Sequence, residues 1–169
     1  MEAETRREQI LSMLSESNHP VVARVLAERF GVSRQVIVGD IALLRAEGQE
    51  ILSTPKGYIR RVETHIHKRR IVCQHHYERT QEELYTIVDH GGQVLDVIVE
   101  HPLYGEIIGG LNISSRMDVD DFLKAIEKND TSLLAELTDG LHTHTISAKD
   151  EETLDKIAAT LDEKNLLYK

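Results

Sequence analysis

A chain of 169 residues has room for one comfortable hydrophobic core or two small ones. Its net charge of −9 would argue against nucleic acid if spread evenly, but residues 1–70 hold 12 Lys and Arg against 9 Asp and Glu (net +3), and residues 71–169 hold 8 against 20 (net −12). The single cysteine, Cys73, excludes an internal disulfide framework and a four-cysteine zinc site, and no run is apolar enough for a membrane span or a signal-peptide core. These features predict a cytoplasmic, two-domain protein with no membrane partner. A mildly basic module at 1–62 precedes an acidic one at 68–169, with the boundary in the polar, basic stretch 61–70.

Residues 4–16 read as a helix with Ile10, Leu11 and Leu14 on one stripe. After Asn18-His19-Pro20, a second helical run places Val22, Val25 and Leu26 on one face and closes at Phe30-Gly31, where glycine suits a left-handed turn. Ser33 reads as the N-cap of a third helix, with Ile37, Ile41 and Leu44 as its buried stripe and Gly48 at its end. Gly39, inside that helix, costs on the order of 1 kcal/mol, which close approach of another backbone would explain. Residues 51–60 then read as two short strands around Pro55-Lys56-Gly57.

Three helices with a glycine turn before the third, followed by a wing, predict a winged helix-turn-helix. Ser33, Arg34 and Gln35 open the third helix, and Arg45 lies on its outer side. With Lys56 at the wing tip, these are the candidate DNA contacts. Arg can bridge guanine, Gln can bridge adenine, and Lys suits phosphate. A packing module with solvated charges is the plainer alternative.

Further along, 70–76 reads as a strand with Ile71, Cys73 and His75 on one face and Val72, Gln74 and His76 on the other. Thr80-Gln81-Glu82-Glu83 is a capping-box sequence opening a helix that carries Leu84, Ile87 and Val88 and ends at His90-Gly91-Gly92. Residues 94–113 read as a hairpin around His101-Pro102-Leu103-Tyr104-Gly105. A helix over 118–128 is expected to bury Val119, Phe122, Leu123 and Ile126. Strands are expected at 132–138 and 141–147, and a last helix at 150–163 with Leu154, Ile157, Ala158 and Leu161 inward. The fold class is α+β in two domains, the second a two-layer α/β domain.

His142 and His144 alternate on one strand, so both imidazoles project the same way, as donors that zinc, nickel, copper or iron would accept. His75 can supply a third nitrogen and Glu83 an oxygen. Each has a plainer reading. The histidine pair can be a polar edge face, His75 half-buried with His76 competing, and Glu83 a capping-box carboxylate. His65 and His67 are expected to be exposed in the linker, His90 to cap its helix, and Cys73 to belong to the core. His101 can line a pocket or shape its turn.

Together the residues resemble a known family. Phe30–Val38 followed by Asp40–Arg45 is similar to the winged helix-turn-helix of the nicotinate-responsive, NiaR-type repressors. His75 with Glu83, Glu83–Asp89, Val97–Ile107 and Leu141–Ile146 resemble their three-histidine (3H) domain, whose fold is similar to that of histidine-containing phosphocarrier proteins. The resemblance covers nearly the whole chain. It implies a divalent transition metal (nickel, zinc or iron) on His75, Glu83, His142 and His144, with the eight-residue step from His75 to Glu83 favouring His75 over His76. It also implies a homodimeric repressor of NAD-synthesis and nicotinate-uptake or salvage genes, no enzyme, with double-stranded operator DNA as its partner. Nicotinic acid is the implied corepressor, bound to the metal or beside it, near His101 and Tyr104. Gly39 and His90 depart from the family pattern. The other classes considered are a metalloregulator with no organic effector, and a metal-dependent hydrolase fused to a DNA-binding domain.

Overall fold

Two apolar clusters form independently, one within Met1–Val62 and the other within Glu63–Lys169. The computed structural model describes residues 1–60, 67–129 and 131–169.

In the first unit, α1 (Ala3–Glu16), α2 (Ala23–Phe30) and α3 (Arg34–Ala46) enclose Ile10, Leu14, Leu26, Ile37, Ile41 and Leu44. The second helix buries a different stripe from the expected one. Val22 is its extended N-cap residue, and Val22 and Val25 are exposed, so the inward face runs through Ala23, Leu26 and Ala27 at i, i+3, i+4. Gly31 takes φ +64° and turns the chain toward α3, where Ser33 Oγ accepts the Val36 N–H at 3.3 Å. Arg6 donates twice to the buried Asp40 carboxylate, at 2.7 and 3.1 Å, which ties α1 to α3.

The wing is β1 (Ile51–Thr54) paired antiparallel with β2 (Gly57–Arg60). Val21 and Tyr58 exchange backbone hydrogen bonds of 2.7 and 2.8 Å, which adds a rung on the far side of β2. That contact requires glycine at 57. Its φ is +121°, and a Cβ there would stand 2.5 Å from the Val21 backbone. Gly39 is different, because no atom of the unit comes near its Cβ position. The backbone approach expected there is not made within this unit.

The second unit runs β3 (His67–Gln74), α4 (Thr80–Asp89), β4 (Gln93–His101), β5 (Gly105–Ile113), α5 (Arg116–Asn129), β6 (Leu141–Ala148) and α6 (Glu151–Glu163). Its sheet has the order β3-β6-β4-β5, with every neighbouring pair antiparallel. The first strand begins earlier than expected. His67, read as linker, pairs with Ala148 and sets its ring 3.3 Å from Glu151, while His65 lies outside the described residues. The helices and the sheet share one cluster, with Ile87, Ile146, Leu154, Ile157, Leu161 and Leu166 fully buried at its centre. Side chains of this kind contribute about 1.5–3 kcal/mol each. Val119 is buried, but Phe122, Leu123, Ile126 and Ala158 are only half-buried at the rim.

The strand expected over 132–138 does not form. Leu134–Thr138 is a 3-10 turn instead, with Ala135 buried. Asp139 and Gly140, at φ +53° and +82°, then swing the chain into β6. The capping box is also absent. Thr80 is the first residue of α4, Arg79 is its N-cap, and no side chain caps the helix. The Glu83 carboxylate is turned elsewhere.

Candidate functional site

Cross-strand register builds one buried cluster. Cys73 stands opposite His142 and Ile71 opposite His144, so these side chains share the face that meets α4. His75 follows the end of β3 and is held by its backbone N–H, which donates to Gly140 O at 3.2 Å. Glu83 lies in the first turn of α4 and points into this group. His75, Glu83, His142 and His144 are all buried, Glu83 completely. Nε2 of His142 lies 2.9 Å from Glu83 Oε2, Nε2 of His75 meets the same oxygen, and Nε2 of His144 meets Oε1. The rings stand edge to face, with centroids 4.7 Å apart for His75–His142 and 4.8 Å for His142–His144.

The other nitrogen of each ring fixes its tautomer. Nδ1–H of His75 donates to His76 O at 2.9 Å, that of His142 to Gly140 O at 2.9 Å, and that of His144 to Asp96 O at 2.7 Å. A carbonyl oxygen only accepts, so each Nδ1 carries a proton, and whenever its ring is neutral the Nε2 presents a lone pair to Glu83. With all three rings neutral, three lone pairs would face an acceptor-only carboxylate in a space closed to water. Protonating all three rings would instead bury three cations around one anion. A metal ion among these atoms removes the conflict, since every one of them is a metal donor and the backbone carbonyls on Nδ1 are the usual orienting partners of ligating histidines. The donor set therefore fits a divalent transition ion.

Without an ion, protonation of His144 offsets part of this conflict. Burial pushes the Glu83 carboxyl up, but the His144 charge and hydrogen bonds from His142 and His144 outweigh it and hold Glu83 well below the usual carboxylate range. Burial pushes His144 down, and attraction to Glu83 reverses this, leaving it above the ordinary imidazole value. For His75 burial wins, and it titrates below that value. His76 stays outside the cluster. It is exposed, 3.6 Å from Asp139 and 3.9 Å from Glu136. His90 is the C-cap of α4, with Nδ1–H donating to Thr86 O at 2.7 Å.

Among the expected DNA contacts, Ser33, Arg34 and Gln35 are exposed at the start of α3. Arg45 is engaged by the wing: Nε donates to Ile51 O and Nη2 to Ser53 Oγ, both at 2.9 Å. Lys56 is half-buried in the β1–β2 turn, where its backbone N–H donates to Thr54 Oγ1.

An HTH domain matches residues 6–59 and a 3H domain matches residues 68–169. The chain is 42% identical over 168 residues to the transcription repressor NadR of Bacillus subtilis, covering 97% of this chain and 93% of that protein. It is 43% identical over 162 residues to the probable transcription repressor NiaR of Thermotoga maritima, covering 96% of this chain and 93% of that one. The chain belongs to the NadR/NiaR family of transcription repressors. Both relatives are named as repressors and not as enzymes, and the NadR/NiaR architecture, a helix-turn-helix followed by a 3H domain, is the α+β arrangement found here. Among the described residues no helix is long and apolar enough to cross a membrane.

Two expected residues of this NadR/NiaR chain lie apart from the histidine cluster. His101 and Tyr104 pack at the β4–β5 turn with centroids 5.1 Å apart, and His101 Nδ1 accepts the Leu103 and Tyr104 N–H groups at 3.1 and 3.2 Å. At the rise of an extended strand, His101 stands roughly 16 Å along β4 from Asp96, whose carbonyl holds His144.

Three residues not anticipated from sequence belong to the cluster. Gly140 O accepts from both His75 and His142. Asp96 sits where the register of β4 shifts, its carbonyl on His144 and its Oδ1 accepting the Thr145 N–H at 2.8 Å. Cys73 is core, as expected, yet its Sγ also lies within 4.8 Å of donor atoms of Glu83 and His142. An aspartate inside an apolar strand and an Asp-Gly pair just before a strand were the available signals.

Proposed function

We propose that this chain is a cytoplasmic, homodimeric repressor of NAD-synthesis and nicotinate-uptake or salvage genes. Nicotinic acid is its corepressor, and His75, Glu83, His142 and His144 hold one divalent nickel, zinc or iron ion. The observation that carries the metal part is the convergence of three Nε2 lone pairs on one buried carboxylate. The ion would supply Lewis acidity and unfilled positions that a pyridine nitrogen or a carboxylate can take. Family likeness supports the nicotinate part. A pyridine carboxylate is far shorter than the roughly 16 Å along β4, so within one chain it meets the metal or the His101–Tyr104 pair, not both.

In this reading Arg34 and Gln35 read base edges in the major groove, Ser33 orients the start of α3, Lys56 meets phosphate and Arg45 braces the wing. Two-fold operators require two copies of the module. Nicotinic acid acts by favouring the dimer geometry that fits the operator, since an effector shifts an equilibrium only by its differential affinity.

The test is an operator titration with metal-loaded and metal-stripped protein, each with and without nicotinic acid. Tight binding only when both are present is the expected result. Affinity set by metal alone would make the protein a metalloregulator. If nicotinic acid changes neither operator affinity nor melting, the corepressor reading fails.

A further inference from the structure

We propose that Cys73 is a fifth protein donor of this centre, its thiolate binding the same ion as the three imidazoles and Glu83. The proposal rests on the metal reading above. Two observations carry it. Cys73 is fully buried on the strand face that presents His142 and His144, directly opposite His142 in the ladder. Its Sγ and donor atoms of Glu83 and His142 all lie within 4.8 Å of one another, a spread that a single ion can gather.

Without an ion the buried thiol stays neutral and serves the Glu83 carboxylate as a weak S–H donor. Beside a divalent ion it is the strongest soft donor available, and binding breaks the S–H bond, forms the metal–sulfur bond and sends the proton to solvent. A thiolate among imidazoles biases the site toward nickel, zinc and cobalt and away from manganese and magnesium.

Cobalt(II) added to the metal-stripped full chain provides the test. The wild type should show visible ligand-field bands together with an intense near-ultraviolet thiolate-to-cobalt charge-transfer band. Cys73→Ala should keep the visible bands and lose the ultraviolet one, with cobalt affinity down by at least about tenfold. Visible bands without a charge-transfer band in the wild type overturn the Cys73 assignment and leave the histidine–carboxylate site standing. If no cobalt binds, the metal reading falls and this inference with it. Should Cys73→Ala fail to fold, X-ray absorption of the wild-type cobalt protein decides, because a sulfur neighbour supports the assignment and a shell of only nitrogen and oxygen overturns it.

Discussion

Gly140 lies so close to His75 that a Cβ there would stand 2.5 Å from the His75 carbonyl oxygen. The contact is backbone against backbone, with Gly140 O accepting the His75 N–H, so neither side can yield by rotating a side chain. Gly140 also has φ +82°, a conformation that L side chains rarely adopt. Gly140→Ala should therefore cost about 1–3 kcal/mol of stability and lower metal affinity about 10–100-fold, since it moves one ligand and the carbonyl that orients another. Thermal melting with and without metal measures both. An alanine variant with unchanged metal affinity would separate this turn from the site.

The pH dependence of metal binding has a definite sign. Glu83, held low, is ionised throughout the neutral range, and His75, held low, is already neutral there. His144, held high, still carries a proton that the ion must expel. Affinity should therefore rise with pH from about 6.5, the ordinary imidazole value, and level off once pH passes the raised value of His144. One proton corresponds to about tenfold per pH unit within that window. Cobalt titrations of Cys73→Ala, which removes any thiol proton from the count, measure the slope. A flat profile above the ordinary imidazole value would contradict the assignment of His144 as a ligand.

The two arginines of α3 should behave differently. Arg34, exposed in the first turn, is placed to read a base, so Arg34→Ala should cost about 1–3 kcal/mol on operator DNA with little change in melting. Arg45 spends two donors on Ile51 O and Ser53 Oγ. Arg45→Ala should lower the stability of the helix-turn-helix unit by about 1 kcal/mol and weaken operator and scrambled DNA alike. Fluorescence anisotropy on both duplexes separates the two roles.

Gly39 is a helical residue with open space around its Cβ position. Alanine there removes backbone freedom from the unfolded chain and meets no neighbour. Gly39→Ala should stabilise the N-terminal unit by about 1 kcal/mol, as read by denaturant unfolding. A destabilised variant would show that something outside the unit packs against this position.

The histidine cluster tests how far local pattern reaches. Alternation in 141–147 and 70–76 was enough to place His142 with His144 and Cys73 with His75 on common faces, because the two-residue period of a strand is a property of the local backbone. Helix periodicity likewise located α1, α3 and α6, and the Ser33 cap formed as its sequence predicts. Thr80-Gln81-Glu82-Glu83 carried the capping-box pattern equally plainly, yet no box formed. His75 lies eight residues away, but the other two partners of Glu83 come from 59 and 61 residues away, beyond the reach of any local window. A buried carboxylate goes where its charge is best met, and protonated or metal-bearing imidazoles outweigh one backbone N–H.

What the sequence alone determined is the order of the elements, the winged helix-turn-helix and the faces on which the candidate ligands lie. Tertiary structure decided which of those faces meet. It made 132–138 a 3-10 turn rather than a strand, and moved the buried stripe of α2 from Val22 and Val25 to Ala23 and Ala27. It also aimed the carbonyls of Gly140 and Asp96 at histidine rings. Backbone periodicity is set by steric limits within a few residues, whereas convergence of donors depends on packing between segments far apart in the chain.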